Sequence, residues 1–231
     1  QSEILPQLTN IDTVISDPPY GIDHDTEYNF SGGSVLGNQY KRIKGDDKPF
    51  DPSHLLGYRK VILWGANCYP EKLPQGSLLI WDKRQPKGEK NVMSDGEVAW
   101  MNSGHGVYIF NHTWDGFIRQ SEKGENYHPT QKPVALMRWC IQKAKPQGVI
   151  VDPYFGSGSL LVAARDLGYQ AIGIEAEIEY CRVAVSRLAQ QTLFTLPNNS
   201  VQRTGGESGS QSSLFAVGDE PAKVTRQSTR R

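Results

Sequence analysis

The chain has 231 residues with 25 basic and 25 acidic side chains, so no net charge marks it as a general polyanion binder. A nucleic-acid partner would have to be met by a local basic face. No apolar run approaches the roughly 18 residues of a membrane span, and a protein without membrane association is expected. Cys68, Cys140 and Cys181 are odd in number and form no Cys-x-x-Cys, which reads as reduced thiols in a cytoplasmic protein rather than disulfides or a metal site.

Residues 11–16 alternate apolar and polar and predict a buried strand. It runs into Asp17-Pro18-Pro19-Tyr20-Gly21. In open α/β sheets, ligands gather at the carboxyl ends of strands. Pro18 and Pro19 lack N–H groups, so this turn is stiff and rich in acceptors. The Asp17 carboxylate and the Pro18 carbonyl can each accept, and the Tyr20 ring can stack on a planar base. Two acceptors beside a flat ring suit an aromatic amine. For the tetrapeptide alone, a plain turn after a strand competes with this reading.

Residues 22–51 hold no helical or strand period and read as a lid or binding loop over that turn, with a floppy insertion as the rival reading. Residues 61–64 and 77–81 predict two more buried strands, and 97–101 with 107–110 predict an antiparallel pair around Gly104-His105-Gly106. Arg84, Lys87, Lys90, Arg119 and Lys123 interleave with Trp100, Tyr108, Trp114, Phe117 and Tyr127. Residues 84–127 are therefore the candidate base-reading region, unless the aromatics are core and the charges a solvated face.

His128-Pro129-Thr130-Gln131-Lys132-Pro133 opens a helix whose apolar stripe is Val134, Met137, Ile141 and Ala144, closed by Pro146 and Gly148. A strand over 148–152 follows and enters Pro153-Tyr154-Phe155-Gly156-Ser157-Gly158-Ser159. Then come a helix over 160–167, a strand over 171–175 and a helix from 176 to about 190, which make a βαβα unit with a right-handed crossover. From residue 196 to 231 the composition turns to Gly, Ser, Gln, Thr and Asn, which predicts a disordered tail behind a single domain over 1–195.

Gly156 and Gly158 between a strand and a helix let a ligand approach the backbone. Glu175, 19 residues after Gly156, can accept from both hydroxyls of a ribose. A dinucleotide fingerprint would also place a glycine where Leu161 stands. S-adenosylmethionine has an adenosine and no phosphate, so it fits the turn better. Asp152 would hold its ammonium and Glu175 its ribose.

These three stretches together resemble the amino-methylating DNA methyltransferases. Asp17-Pro18-Pro19-Tyr20 is similar to their amine-pocket motif, Asp/Asn/Ser-Pro-Pro-Tyr/Phe. Residues 152–159 are similar to the cofactor motif Asp-Pro-Phe-x-Gly-Ser-Gly-Thr, with Tyr154 and Ser159 in place of Phe and Thr. His128-Pro129-Thr130-Gln131-Lys132-Pro133 is similar to the helix-opening motif. The order, amine pocket first, resembles the permuted group called β. The family's adenine-contacting acid before the first strand has no match beyond Glu3, in a poor context.

The resemblance implies an α/β fold, a doubly wound, mostly parallel, Rossmann-like methyltransferase sheet with an antiparallel strand pair. It implies catalysis by Asp17, Pro18, Pro19 and Tyr20. The cofactor S-adenosylmethionine would be held by Thr130, Gln131, Lys132, Asp152, Tyr154, Gly156, Ser157, Gly158 and Glu175, with no metal. The expected substrate is double-stranded DNA, methylated at a flipped base. Adenine N6 is favoured over cytosine N4, because Asp at the first motif position is commoner in the adenine enzymes. A non-catalytic relative and a NAD-dependent oxidoreductase are the rival classes. Gln211-Ser212-Ser213-Leu214-Phe215 resembles the peptides that dock on bacterial sliding clamps, as does Gln190-Gln191-Thr192-Leu193-Phe194; coincidence or simple packing is the alternative. A homodimer is a further candidate assembly.

Overall fold

The computed structural model describes residues 3–23, 42–85, 94–115, 118–123, 127–128 and 130–190. Of the loop expected over 22–51, residues 24–41 lie outside the described residues, as do Lys87, Lys90, Phe117, the tail, the Gln211–Phe215 stretch and residues 191–194 of the other Gln-x-x-Leu-Phe stretch.

Strands β1 (Ile11–Ser16), β2 (Lys60–Trp64), β3 (Ser77–Asp82), β4 (Gly96–Met101), β5 (Val107–Asn111), β8 (Val149–Asp152) and β9 (Ala171–Gly173) form one sheet in the order β5-β3-β4-β2-β1-β8-β9. A separate ribbon joins β6 (Trp114–Asp115) to β7 (Ile118–Arg119). The helices are α1 (Val134–Ala144), α2 (Ser159–Asp166) and α3 (Ile178–Ala189). Among the described strands of the seven-stranded sheet, only β4 runs against its neighbours, antiparallel to both β2 and β3.

The expected β4–β5 hairpin does not form. Strand β3 lies between the two, antiparallel to β4 and parallel to β5. The Ser77 hydroxyl explains the path. It donates to the Ser103 carbonyl at 2.7 Å and accepts from the Gly106 N–H at 3.1 Å, so the connection wraps around the start of β3.

The strands read apolar because both faces of the sheet are covered. Ile15, Ile62, Trp64, Leu79, Trp81 and Ile150 face α1 and α2, with Leu136, Met137, Ile141, Leu160 and Ala163 between the layers. Their sequence neighbours Val14, Val61, Leu63, Trp100 and Val151 form the other core. There the cover is Leu5, Phe50, Leu55 and Tyr69, from short 3-10 turns and the segment around Phe50 rather than long helices. Helix α3 packs beside α2 through Ala184, Leu161 and Phe155.

The chain leaves β1 for β2 on one side, and β8 pairs with β1 on the other. That is a topological switch point, where a crevice opens beyond the carboxyl ends of the strands. The turns after β1 and β8 meet there. Because β4 is reversed, its first residues lie at this same edge.

Candidate active site at the carboxyl edge of the sheet

The turn after β1 is held from several sides. Gly21, at φ +76°, donates its N–H to the Asp46 carboxylate at 2.8 Å, and a Cβ there would lie 2.3 Å from the Lys48 carbonyl oxygen. Gly65, at φ +73° just after β2, gives room to Tyr20; a Cβ there would stand 2.1 Å from a Tyr20 ring carbon. The Tyr20 hydroxyl donates to Asp17 Oδ1 at 2.5 Å. Pro18 and Pro19 complete the turn.

Lys132, expected at the cofactor, lies on the amine side instead. Its ammonium donates to Asp17 Oδ2 at 2.5 Å and lies 5.8 Å over the Tyr20 ring. It also stands 3.0 Å from Glu97 Oε2, and Lys83 donates to Glu97 Oε1 at 3.0 Å. The Lys132–Glu97 contact is an ion pair without a directed hydrogen bond, which leaves Glu97 Oε2 a buried acceptor with none among the described residues. Burial pushes the Asp17 carboxyl above its ordinary range, and the adjacent Lys132 only partly offsets this. Burial also disfavours the Lys132 charge, but Asp17 and Glu97 outweigh it and raise the ammonium pKa. Glu97 is desolvated too, yet Lys132 and Lys83 keep it below its ordinary value.

The turn after β8 touches the first directly. The Ser16 hydroxyl donates to Asp152 Oδ1 at 2.6 Å, and the Tyr154 N–H reaches the same oxygen at 3.1 Å. Burial, opposed by these two hydrogen bonds, raises the Asp152 carboxyl to about 7. Glu175, beyond β9, accepts the Gly156 N–H at 3.0 Å and the Ala176 and Glu177 N–H groups at 2.7 and 2.9 Å. Gly156, at φ +52°, lies beside His128, whose ring nitrogen accepts from the Thr130 N–H at 3.3 Å. Gly158 serves packing as well as the turn. It sits at φ +81° at the start of α2, and a Cβ there would lie 2.8 Å from Ala184 Cβ.

Arg187 locks this half. Its guanidinium donates to the Ser157 carbonyl at 2.8 Å, to the Ser157 and Ser159 hydroxyls at 3.1 and 3.2 Å, and to Glu122 Oε1 at 2.8 Å. Glu122 Oε2 accepts the Val134 N–H at 2.9 Å and so caps α1, where Pro133 is the cap residue rather than the first helical one. Gln131 is buried in the same knot, accepting the Tyr127 N–H at 3.0 Å.

The candidate base-reading region divides. Trp100 and Trp114 are core residues, while Tyr108 reaches the surface under the Lys143 ammonium. Arg119 stacks 4.3 Å over the Trp114 ring. A surface groove of about 400 Å³ between β5 and α1, lined by Phe110, Val134, Arg138 and Trp139, contains neither Asp17 nor Asp152. Among the described residues no group of His, Cys, Asp and Glu is arranged to hold a metal, and no helix is long and apolar enough to cross a membrane.

The N6/N4 methyltransferase family model, described as DNA methylase, matches residues 60–186. The chain belongs to this DNA methylase family. Asp17 and its turn precede the matched stretch. Among curated proteins, the chain is similar to the Type II methyltransferase M2.LlaDCHI of Lactococcus lactis subsp. cremoris, 31% identical over 120 residues that cover 51% of this chain and 44% of that one. It is also similar to the Type II methyltransferase M2.DpnII of Streptococcus pneumoniae, 33% identical over 112 residues, 48% of this chain and 41% of that one. The chain thus matches under half the length of these relatives. Among solved structures, the M1.HpyAVI–SAM complex aligns at TM-score 0.48 and 22% identity, over 81% of this chain and 94% of that one. The cytosine-N4-specific PvuII DNA methyltransferase aligns at TM-score 0.48 and 13% identity, over 80% and 82%.

Proposed function

We propose that this DNA methylase transfers a methyl group from S-adenosylmethionine to the N6 amine of a flipped adenine in duplex DNA. The observation that carries the reading is the Ser16–Asp152 hydrogen bond, because it joins the end of β1, just before Asp17, to the end of β8, where the glycine turn begins.

The residues fit the cofactor. Both hydrogen bonds to Asp152 fall on Oδ1, which leaves Oδ2 for the ammonium of the methionine part. Glu175, two residues beyond β9, has acceptor capacity for ribose hydroxyls beyond its backbone contacts. Leu161, packed with Phe155, stands where a dinucleotide turn would need glycine. When bound, S-adenosylmethionine supplies an electrophilic methyl on sulfonium.

The work of this chain is to make an aromatic amine nucleophilic. Its lone pair is delocalised into the ring. Hydrogen bonds from the two amine hydrogens to Asp17 and the Pro18 carbonyl favour a pyramidal nitrogen with its lone pair free. Tyr20 stacks the base, and the target atom is reached only once the base leaves the duplex. The methyl would come directly from the sulfonium, and the amine proton it displaces would pass to the Asp17 carboxylate, so no nucleophilic cysteine is needed; Cys140, which burial raises to about 12, suits none. The test is to express the chain in a host lacking adenine methylation and map modified bases in its plasmid DNA. N6-methyladenine at a fixed sequence is expected, and unmodified DNA would refute the reading.

The raised Asp152 stabilises the protein in its protonated form; that stability is complete below about pH 4 and is lost as pH rises through about 7. A cofactor ammonium needs the charged form, so affinity should rise about fivefold from pH 6 to pH 7 and then level as the cofactor's own α-ammonium titrates. Calorimetric titration across that range checks this, and Asp152→Asn should bind weakly with a flat profile. Gly65→Ala should displace Tyr20 and slow single-turnover transfer roughly tenfold, on the scale of a lost base-stacking contact. Rapid-quench assays would show it.

A further inference from the structure

Lys132 holds the place that the proposed function gives to the substrate. Its ammonium is an N–H donor on Asp17 Oδ2 at 2.5 Å and lies 3.4 Å from the Tyr20 hydroxyl. A base amine coming to Asp17 meets a donor of the chain's own on the same acceptor. While the ammonium stays there, it also draws charge from the carboxylate that should polarise the amine.

Lys132 cannot simply withdraw into water. It is 7% exposed, and a buried ammonium without a carboxylate is strongly disfavoured. Glu97 Oε2 is the nearby alternative, 3.0 Å from the same nitrogen and without a hydrogen bond among the described residues. Lys83 fixes the other oxygen of Glu97 at 3.0 Å, so the acceptor in reserve is held still. The reversed direction of β4 is what brings Glu97 to the catalytic edge.

We infer that Glu97 is a positioning residue that takes the Lys132 ammonium when a base amine replaces it on Asp17. The inference rests on the methyltransferase reading above. In both states Lys132 keeps one buried carboxylate, and a turn of its terminal bonds is enough to exchange hydrogen bonds between the two. The device releases Asp17 only when a better-placed donor arrives.

The test compares Glu97→Gln, Lys132→Met and the double variant in single-turnover transfer to a duplex carrying the site found by plasmid mapping. Glu97→Gln should slow transfer about tenfold or more at saturating S-adenosylmethionine, while cofactor affinity changes by less than about threefold. The double variant should be faster than Glu97→Gln alone, because the stranded ammonium is gone. A pair that merely braces the fold predicts no such recovery, and a double variant no faster than Glu97→Gln overturns the inference. If the variants do not fold, the wild-type complex with DNA and a cofactor analogue decides. Lys132 Nζ hydrogen-bonded to Glu97 Oε2 supports the exchange, and Nζ still on Asp17 beneath a docked base refutes it. Wild-type protein that methylates nothing defeats the functional reading, and the inference with it; wild-type transfer without recovery in the double variant defeats the inference alone.

Discussion

Asp17→Ala should lose methyl transfer by about 100-fold or more while still binding S-adenosylmethionine. A hydrogen bond to a charged acceptor contributes roughly 1.5–3 kcal/mol, which by itself corresponds to about 10–100-fold in rate. The loss should exceed that, because the Tyr20 hydroxyl and the Lys132 ammonium both lose their partner in the pocket. Glu97 remains beside Lys132, so the ammonium is not left without a counter-charge and the fold should survive. Asp17→Asn keeps a carbonyl oxygen and should fall between the two. Filter-binding of labelled cofactor beside a transfer assay separates the effects. Near-normal turnover by Asp17→Ala would remove the amine pocket from the mechanism.

Arg187→Met should lower stability by about 3–5 kcal/mol, the range for breaking a buried ion pair by removing one partner. Arg187 is 5% exposed, and its loss removes the guanidinium side of the buried ion pair with Glu122 and the guanidinium donor of the Ser157 carbonyl. Glu122 also caps α1, so the damage should spread to the segment that carries Lys132. The urea midpoint should drop with an unchanged slope, since the surface exposed on unfolding is the same. Cofactor affinity should fall with it, because Ser157 lies in the glycine turn. Arg187→Lys should rescue little, as an ammonium cannot span Ser157, Ser159 and Glu122 together.

What the sequence shows clearly is local. The apolar runs became strands and the 3.6-residue stripes became helices; the first and last motifs came to one edge of the sheet because each follows a strand, and the helix-opening motif reaches them from ahead of α1. What it hides is non-local. Gly104-His105-Gly106 suits a hairpin, yet the Ser77 hydroxyl, far away in the chain, takes the connection around β3. Glu97 begins the predicted strand over 97–101 with no local mark of a role; only the reversal of β4 brings it to the Lys132 ammonium beside Asp17. Lys132 reads with its motif neighbours as a cofactor residue, while its long side chain reaches the other turn. Arg187 sits in the last turn of α3, where a cation ordinarily complements the helix dipole at the surface. Its burial follows from the packing of α3 beside the glycine turn, which Gly158 permits by leaving room for Ala184.

The central claim is that the turns after β1 and β8 form one reaction site for an exocyclic amine. It is tested most directly by incubating the protein with methyl-labelled S-adenosylmethionine and unmethylated plasmid, then digesting the DNA to nucleosides and locating the label. The claim predicts label in N6-methyldeoxyadenosine, lost on Asp17→Ala. Label on cytosine C5, or none in DNA while the protein binds the cofactor, would contradict it.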